Sequence, residues 1–116
     1  MTLNDWRDDV WRLMEAKGFH VGRGNTRDDV MVRLCLVHTE VSEAVQEVKR
    51  HWTGDGSPAV RAAVAEEVAD TLIRLLDLCG CLGIDLNASV AAKHAKNAAR
   101  PHLYGTPNEG IAHANA

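Results

Sequence analysis

Apolar residues along this chain recur at spacings of three and four, the period of helices with one face turned inward. Nowhere do they alternate in twos over the length of a strand. The pattern predicts four helices. The first runs from about Leu3 to Lys17, capped by Thr2 or Asn4 and stopped by Gly18, with Trp6, Val10, Leu13 and Met14 in one stripe and Trp11 off its edge. A glycine-rich loop, "GFHVGRGNTRDD", follows. Thr26 caps the second helix, and Asp28 and Asp29 fall in its first turn, where the macrodipole favours acids. That helix reaches about Trp52, with Val30, Leu34, Val37, Val41, Ala44, Val45 and Val48 as its apolar positions. "TGDGSP" breaks it. Ser57 caps the third helix, Pro58 takes its first position, and Gly83 ends it after Leu82. The fourth starts near Asp85 or Asn87 and stops before Pro101.

The fold class expected is therefore all-α: a four-helix bundle-type protomer over residues 1–100, with two long central helices that a short loop makes antiparallel, and a loose C-terminal tail over 101–116. The third helix, "VAEEVADTLIRLLDLCGCLG", is apolar over more than one face. A helix apolar round most of its circumference has neighbours on both sides. A homo-oligomer, a homodimer or a dimer of dimers, is the expectation.

Composition narrows the function classes. The chain has 116 residues, 46% hydrophobic and 25% charged, as expected of one globular domain. The net charge is -3, with no basic run, so nucleic acid is not the expected partner. No apolar run reaches the roughly 18 residues of a membrane span. The first residues, "MTLNDWRDDVWRLM", carry acids from the start and do not read as a signal peptide. Cys35, Cys79 and Cys81 are an odd count, and two lie in an apolar helical run, which suits reduced thiols in a cytoplasmic protein. "CGC" lacks the two-residue spacer of zinc knuckles.

One pattern does not fit a bland bundle. In "TEVSEAVQEVKR" Glu40, Glu43 and Glu47 fall on one helical face, where like charges repel by a few tenths of a kcal/mol per pair. The third helix repeats this with Glu66, Glu67, Asp70 and Asp77 among Val64, Val68, Leu72, Leu75 and Leu76. Acids on a helix are commonly just its solvated face, and a single E-x-x-E arises by chance. Two such pairs on consecutive, antiparallel helices place Glu40 and Glu43 opposite Glu67 and Asp70. Partly buried carboxylates facing one another cost several kcal/mol per ion unless a cation compensates. Mg²⁺ is held by a few carboxylates plus waters and substrate phosphates. Glu66 is the nearest rival of Glu67 as a ligand. A di-iron bundle would need E-x-x-H, which is lacking, since His38 precedes Glu40 by two. There is no G-x-S-x-G, no Walker A and no G-x-G-x-x-G.

These residues resemble the MazG-like all-α nucleoside triphosphate pyrophosphohydrolases, whose signature is E-x-x-E, a helix–loop–helix turn, then E-x-x-D. Here the signature is Glu40 and Glu43, then Glu67 and Asp70. "LGIDL" is similar to the family's link into its last helix, and "KHAKN" supplies a lysine and an asparagine four apart, Lys93 and Asn97. The resemblance spans about residues 28 to 100. It implies Mg²⁺-dependent cleavage of a nucleoside triphosphate between its α- and β-phosphates, with Mn²⁺ a possible substitute. Glu40, Glu43, Glu67 and Asp70 would be the metal ligands and catalytic acids. Lys93 and Asn97 would hold phosphate and sugar oxygens, although a C-terminal turn equally favours cations for its dipole. Trp6, His20 and Trp52 lie where the family places base-sandwiching aromatics. Trp52 is about half a turn out of phase with Glu43, so packing at a helix end is its other reading. Arg74 is a phosphate contact or an ion-pair partner of Asp70 or Asp77. The related phosphoribosyl-ATP pyrophosphohydrolases share the helical acids and are the alternative within the class. A non-catalytic helical dimerisation module is the alternative outside it.

Overall fold

The computed structural model describes residues 1–101. They form four helices and no strand: α1 Leu3–Ala16, α2 Arg27–His51, α3 Pro58–Leu82 and α4 Leu86–Ala99. The protein is all-α, as the spacing of its apolar residues predicts. The tail expected over 101–116 lies, from residue 102 on, outside the described residues.

Local chemistry sets the helix ends. Thr2, rather than Asn4, caps α1: its hydroxyl accepts from the Asp5 N–H while the Asp5 carboxylate accepts from the Thr2 N–H. Thr26 and Asp29 form the same reciprocal box at the start of α2. Ser57 caps α3 and Pro58 begins it; Gly83, with φ of 65°, ends it in the left-handed region that favours glycine. Replacing such an N-cap hydroxyl costs a helix roughly 1 kcal/mol. Asp85 caps α4 through a 3.0 Å bond from the Ala88 N–H.

The chain divides into two compact units, Met1–Ile84 and the segment from Asp85 on. In the first unit α3 packs against both α1 and α2. Arg74 of α3 meets Glu40 of α2, and Glu67 influences Glu43, so α3 runs back antiparallel along α2. On the other flank the glycine hydrogen of Gly80 lets α1 approach: a Cβ there would stand 2.8 Å from Trp11 Cβ. The buried apolar residues are Val10, Val60, Leu76, Leu78 and Cys79. The glycine-rich loop is tied to α3 by His20, which binds Asp77, and by Asn25, whose amide donates to the Cys81 carbonyl.

One expectation is met only in part. Of the apolar stripe of α2, Val30, Val37 and Ala44 are half-buried, whereas Leu34, Val41, Val45 and Val48 are exposed, Val45 to 58%. Arg33 and Glu40, seven residues apart and so on one face, are the buried residues of α2. The polar face turns inward because Glu40 finds a guanidinium on α3. Val68, Leu72 and Leu75 of α3 are exposed as well. No single helix among the described residues is long and apolar enough to cross a membrane.

Candidate functional site

Helical spacing brings the acids together. Glu40 and Glu43 stand one turn apart on α2, Glu67 and Asp70 one turn apart on α3, and the antiparallel pairing sets the two turns face to face. Oxygens of Glu40, Glu67 and Asp70 all lie within 4.8 Å of one another. Glu43, an exposed residue, is not in that group; its carboxylate adjoins that of Glu67.

The four carboxylates differ in environment. Glu40 is 7% exposed and accepts a 2.7 Å bond from Arg74 Nε. That bond holds its carboxyl below the ordinary value, with burial opposing it. Arg74 therefore pairs with Glu40, and with neither Asp70 nor Asp77 in its 2.7 Å bond. Glu67 is the opposite case. The adjoining Glu43 carboxylate, burial, and the charges of Glu43, Asp70 and Glu40 push it up to about 7. Its Oε2 is shut off from solvent and receives no hydrogen bond. Carboxylates only accept when ionised, so this oxygen needs either a proton or a cation. An anionic oxygen donor set of this kind fits a hard divalent ion such as Mg²⁺.

A cleft of about 480 Å³ opens beside the cluster. Glu40, Asp70 and Arg74 line it, and so do Arg23, Arg33 and Phe19. Arg33 is buried and held by a 3.0 Å bond to Asn25 Oδ1. Phe19 is 60% exposed. The cleft is in the size range of small-molecule sites and carries both signs of charge, cations for an anionic ligand and acids for a metal.

Phe19, Arg23 and Arg33 escape sequence reasoning. The signal for Arg33 is its spacing of seven from Glu40, which puts it on the acids' face. Phe19 and Arg23 lie in a loop whose path depends on remote ties to α3. Of the aromatic candidates, none lines this cleft. Trp52 is nine residues beyond Glu43, roughly 13 Å along the helix. Its indole donates 2.9 Å to the Gly54 carbonyl, and Arg61 stacks on it at 5.2 Å, so it closes the α2–α3 turn. Trp6 is exposed on α1. His20 is wedged between Glu15 and Asp77. Glu66 is exposed. Lys93 and Asn97 share one face of α4, four residues apart.

No family model, curated protein or solved structure matches this chain.

Proposed function

We propose that the protein is a Mg²⁺-dependent nucleoside triphosphate pyrophosphohydrolase of the MazG-like type. The observation that carries this reading is the meeting of Glu40, Glu67 and Asp70 around a buried, donor-less Glu67 oxygen. The two acid pairs match the E-x-x-E and E-x-x-D signature, and both face the shared seam rather than solvent alone.

Glu40, Glu43, Glu67 and Asp70 would hold the metal. Bound Mg²⁺ supplies the positive charge that a triphosphate requires in an acidic seam and polarises the attacked phosphorus. Arg74 fixes one Glu40 oxygen, so the Glu40 carboxylate has a set orientation before a metal arrives. Arg23 and Arg33 lie in the same cleft and suit phosphate oxygens. Phe19 offers an exposed aromatic face to a base. Water attacks the α-phosphorus, the bond to the bridging α–β oxygen breaks, and a carboxylate of the cluster takes the water's proton. The products are a nucleoside monophosphate and pyrophosphate. The K-x-x-x-N pattern of Lys93 and Asn97 on α4 adds to the resemblance on which this reading draws.

A homodimer, or a dimer of dimers, belongs to the same proposal. The exposed stripes Leu34–Val41–Val45–Val48 and Val68–Leu72–Leu75 lie more than a third of a turn, roughly 140°, from the centres of the acid faces of α2 and α3. In an antiparallel pair both stripes fall on one side, forming an apolar surface larger than the single exposed side chains that need no explanation. A second protomer covering it would supply the further neighbour that the apolar circumference of α3 calls for.

The test is pyrophosphate release from a panel of canonical and modified ribo- and deoxyribonucleoside triphosphates and phosphoribosyl-ATP, with Mg²⁺ and with EDTA. Turnover of one or more substrates that stops with EDTA is expected. No turnover of any of them with Mg²⁺ or Mn²⁺ would leave a helical dimerisation module.

A further inference from the structure

A second cluster of ligand-type side chains lies two turns along α3 from Asp70. His20 of the glycine-rich loop points Nε2 at Asp77 Oδ1, 2.8 Å away, and at Cys81 Sγ, 3.8 Å away. One ligand atom of each of the three lies within 4.8 Å of the other two. Asp77 and Cys81 are one turn apart on the same helix, so both project toward the loop together. From these we infer that His20, Asp77 and Cys81 form a binding site for a borderline-soft divalent transition metal, Zn²⁺ in the first instance, distinct from the hard-ion acid cluster.

The geometry needs little change to accept the ion. With Zn–N and Zn–O near 2.0 Å and Zn–S near 2.3 Å, a tetrahedral centre sets N···O at roughly 3.3 Å and N···S at roughly 3.6 Å. The present 2.8 Å and 3.8 Å must open by about half an ångström and close by about two tenths.

The surroundings are those of a held ligand rather than a loose one. The Glu15 carboxylate lies 2.5 Å from His20 Nδ1 and fixes the ring from behind, which leaves Nε2 as the nitrogen for the metal. That carboxylate–histidine pairing is the usual outer support of a metal-bound imidazole. Trp11 packs on the ring at 5.3 Å between centroids. The side chains of His20 and Asp77 are 11% and 16% exposed, so the ion would be shielded but reachable. The thiolate, imidazole and carboxylate set selects against Mg²⁺ and Ca²⁺, which take oxygen alone. Three protein ligands leave a fourth position open, for water or for a ligand from the cleft that Asp77 also lines.

The test uses the full chain, reduced and stripped of metal. Titration with Co²⁺ should give a thiolate-to-cobalt charge-transfer band at one equivalent, with the intense visible absorption of a tetrahedral centre, and Zn²⁺ should abolish both. Cys81→Ser and His20→Gln should each lose the band or weaken Zn²⁺ binding at least tenfold, in the range found when a ligand or its support is removed. Cys35→Ser and Glu43→Gln should keep it. The wild-type spectrum decides the matter even if a variant misfolds: no thiolate band overturns the assignment. So does a band that survives in Cys81→Ser, or Zn²⁺ affinity equal in the wild type and in folded Cys81→Ser.

Discussion

Glu67 makes the link between protonation and metal binding measurable. Its carboxyl, ordinarily 4.5, is pushed up to about 7 by the Glu43 carboxylate, burial and the neighbouring charges. Ligation requires the ionised form, so a metal entering below this value must displace a proton. With a value of about 7, roughly a tenth of Glu67 is ionised near pH 6 and roughly nine tenths near pH 8. Mg²⁺ affinity should therefore be about tenfold weaker near pH 6 than near pH 8 and should level off above that. Stability runs the other way in the metal-free protein. The folded value lies above the unfolded one, so the native state binds the extra proton. The resulting contribution is complete below 4.5 and is lost as pH rises through about 7. Calorimetric titration in two buffers of different ionisation enthalpy counts the protons released. Glu67→Gln cannot titrate, and its residual Mg²⁺ affinity should be flat over the same range. An affinity independent of pH in the wild type, or a slope unchanged in Glu67→Gln, would refute the reasoning.

Other outcomes follow from the same contacts. Arg74→Met leaves the buried Glu40 carboxylate without its donor, which should destabilise the metal-free protein by about 1–3 kcal/mol, read by urea unfolding, and added Mg²⁺ should recover part of the loss. Asp70→Asn should abolish turnover while leaving the melting temperature unchanged or higher near pH 8, because a repelling charge is removed. Gly80→Ala gains up to about 1 kcal/mol of helix propensity but drives a Cβ into Trp11, an overpacking worth about 1–3 kcal/mol, so a net loss of stability in thermal melts is expected. Val45→Glu with Leu72→Lys, charges placed on the exposed apolar stripes, should shift the protein to monomer in light scattering.

The legible part of this protein was the local part. Thr2, Thr26, Ser57, Pro58 and Gly83 mark helix ends through bonds made within a few residues, and each does so in the structure. The acid spacing was legible for the same reason, since turn geometry alone puts Glu40 beside Glu43 and Glu67 beside Asp70. The packing of α2 was legible only in part: the acid spacing turned Glu40 toward α3, but apolar periodicity also expected Val41 and Val45 to be covered, and both are exposed while Arg33 is buried. His20 shows the same limit: its partners Glu15 and Asp77 are separated from it by 5 and 57 positions, and only the first is within reach of a local argument. Arg33, Arg23 and Phe19 enter the cleft through the path of a loop that no periodicity describes.

Which bond breaks, and what the acids do for it, can be read in one experiment. Phosphorus NMR of a turned-over triphosphate, followed in Mg²⁺ with wild-type protein and with Glu67→Gln, reads both at once. Resonances of nucleoside monophosphate and pyrophosphate should grow together in the wild type, and the variant should leave the triphosphate intact. Nucleoside diphosphate and inorganic phosphate as products, or equal turnover by Glu67→Gln, would contradict the account.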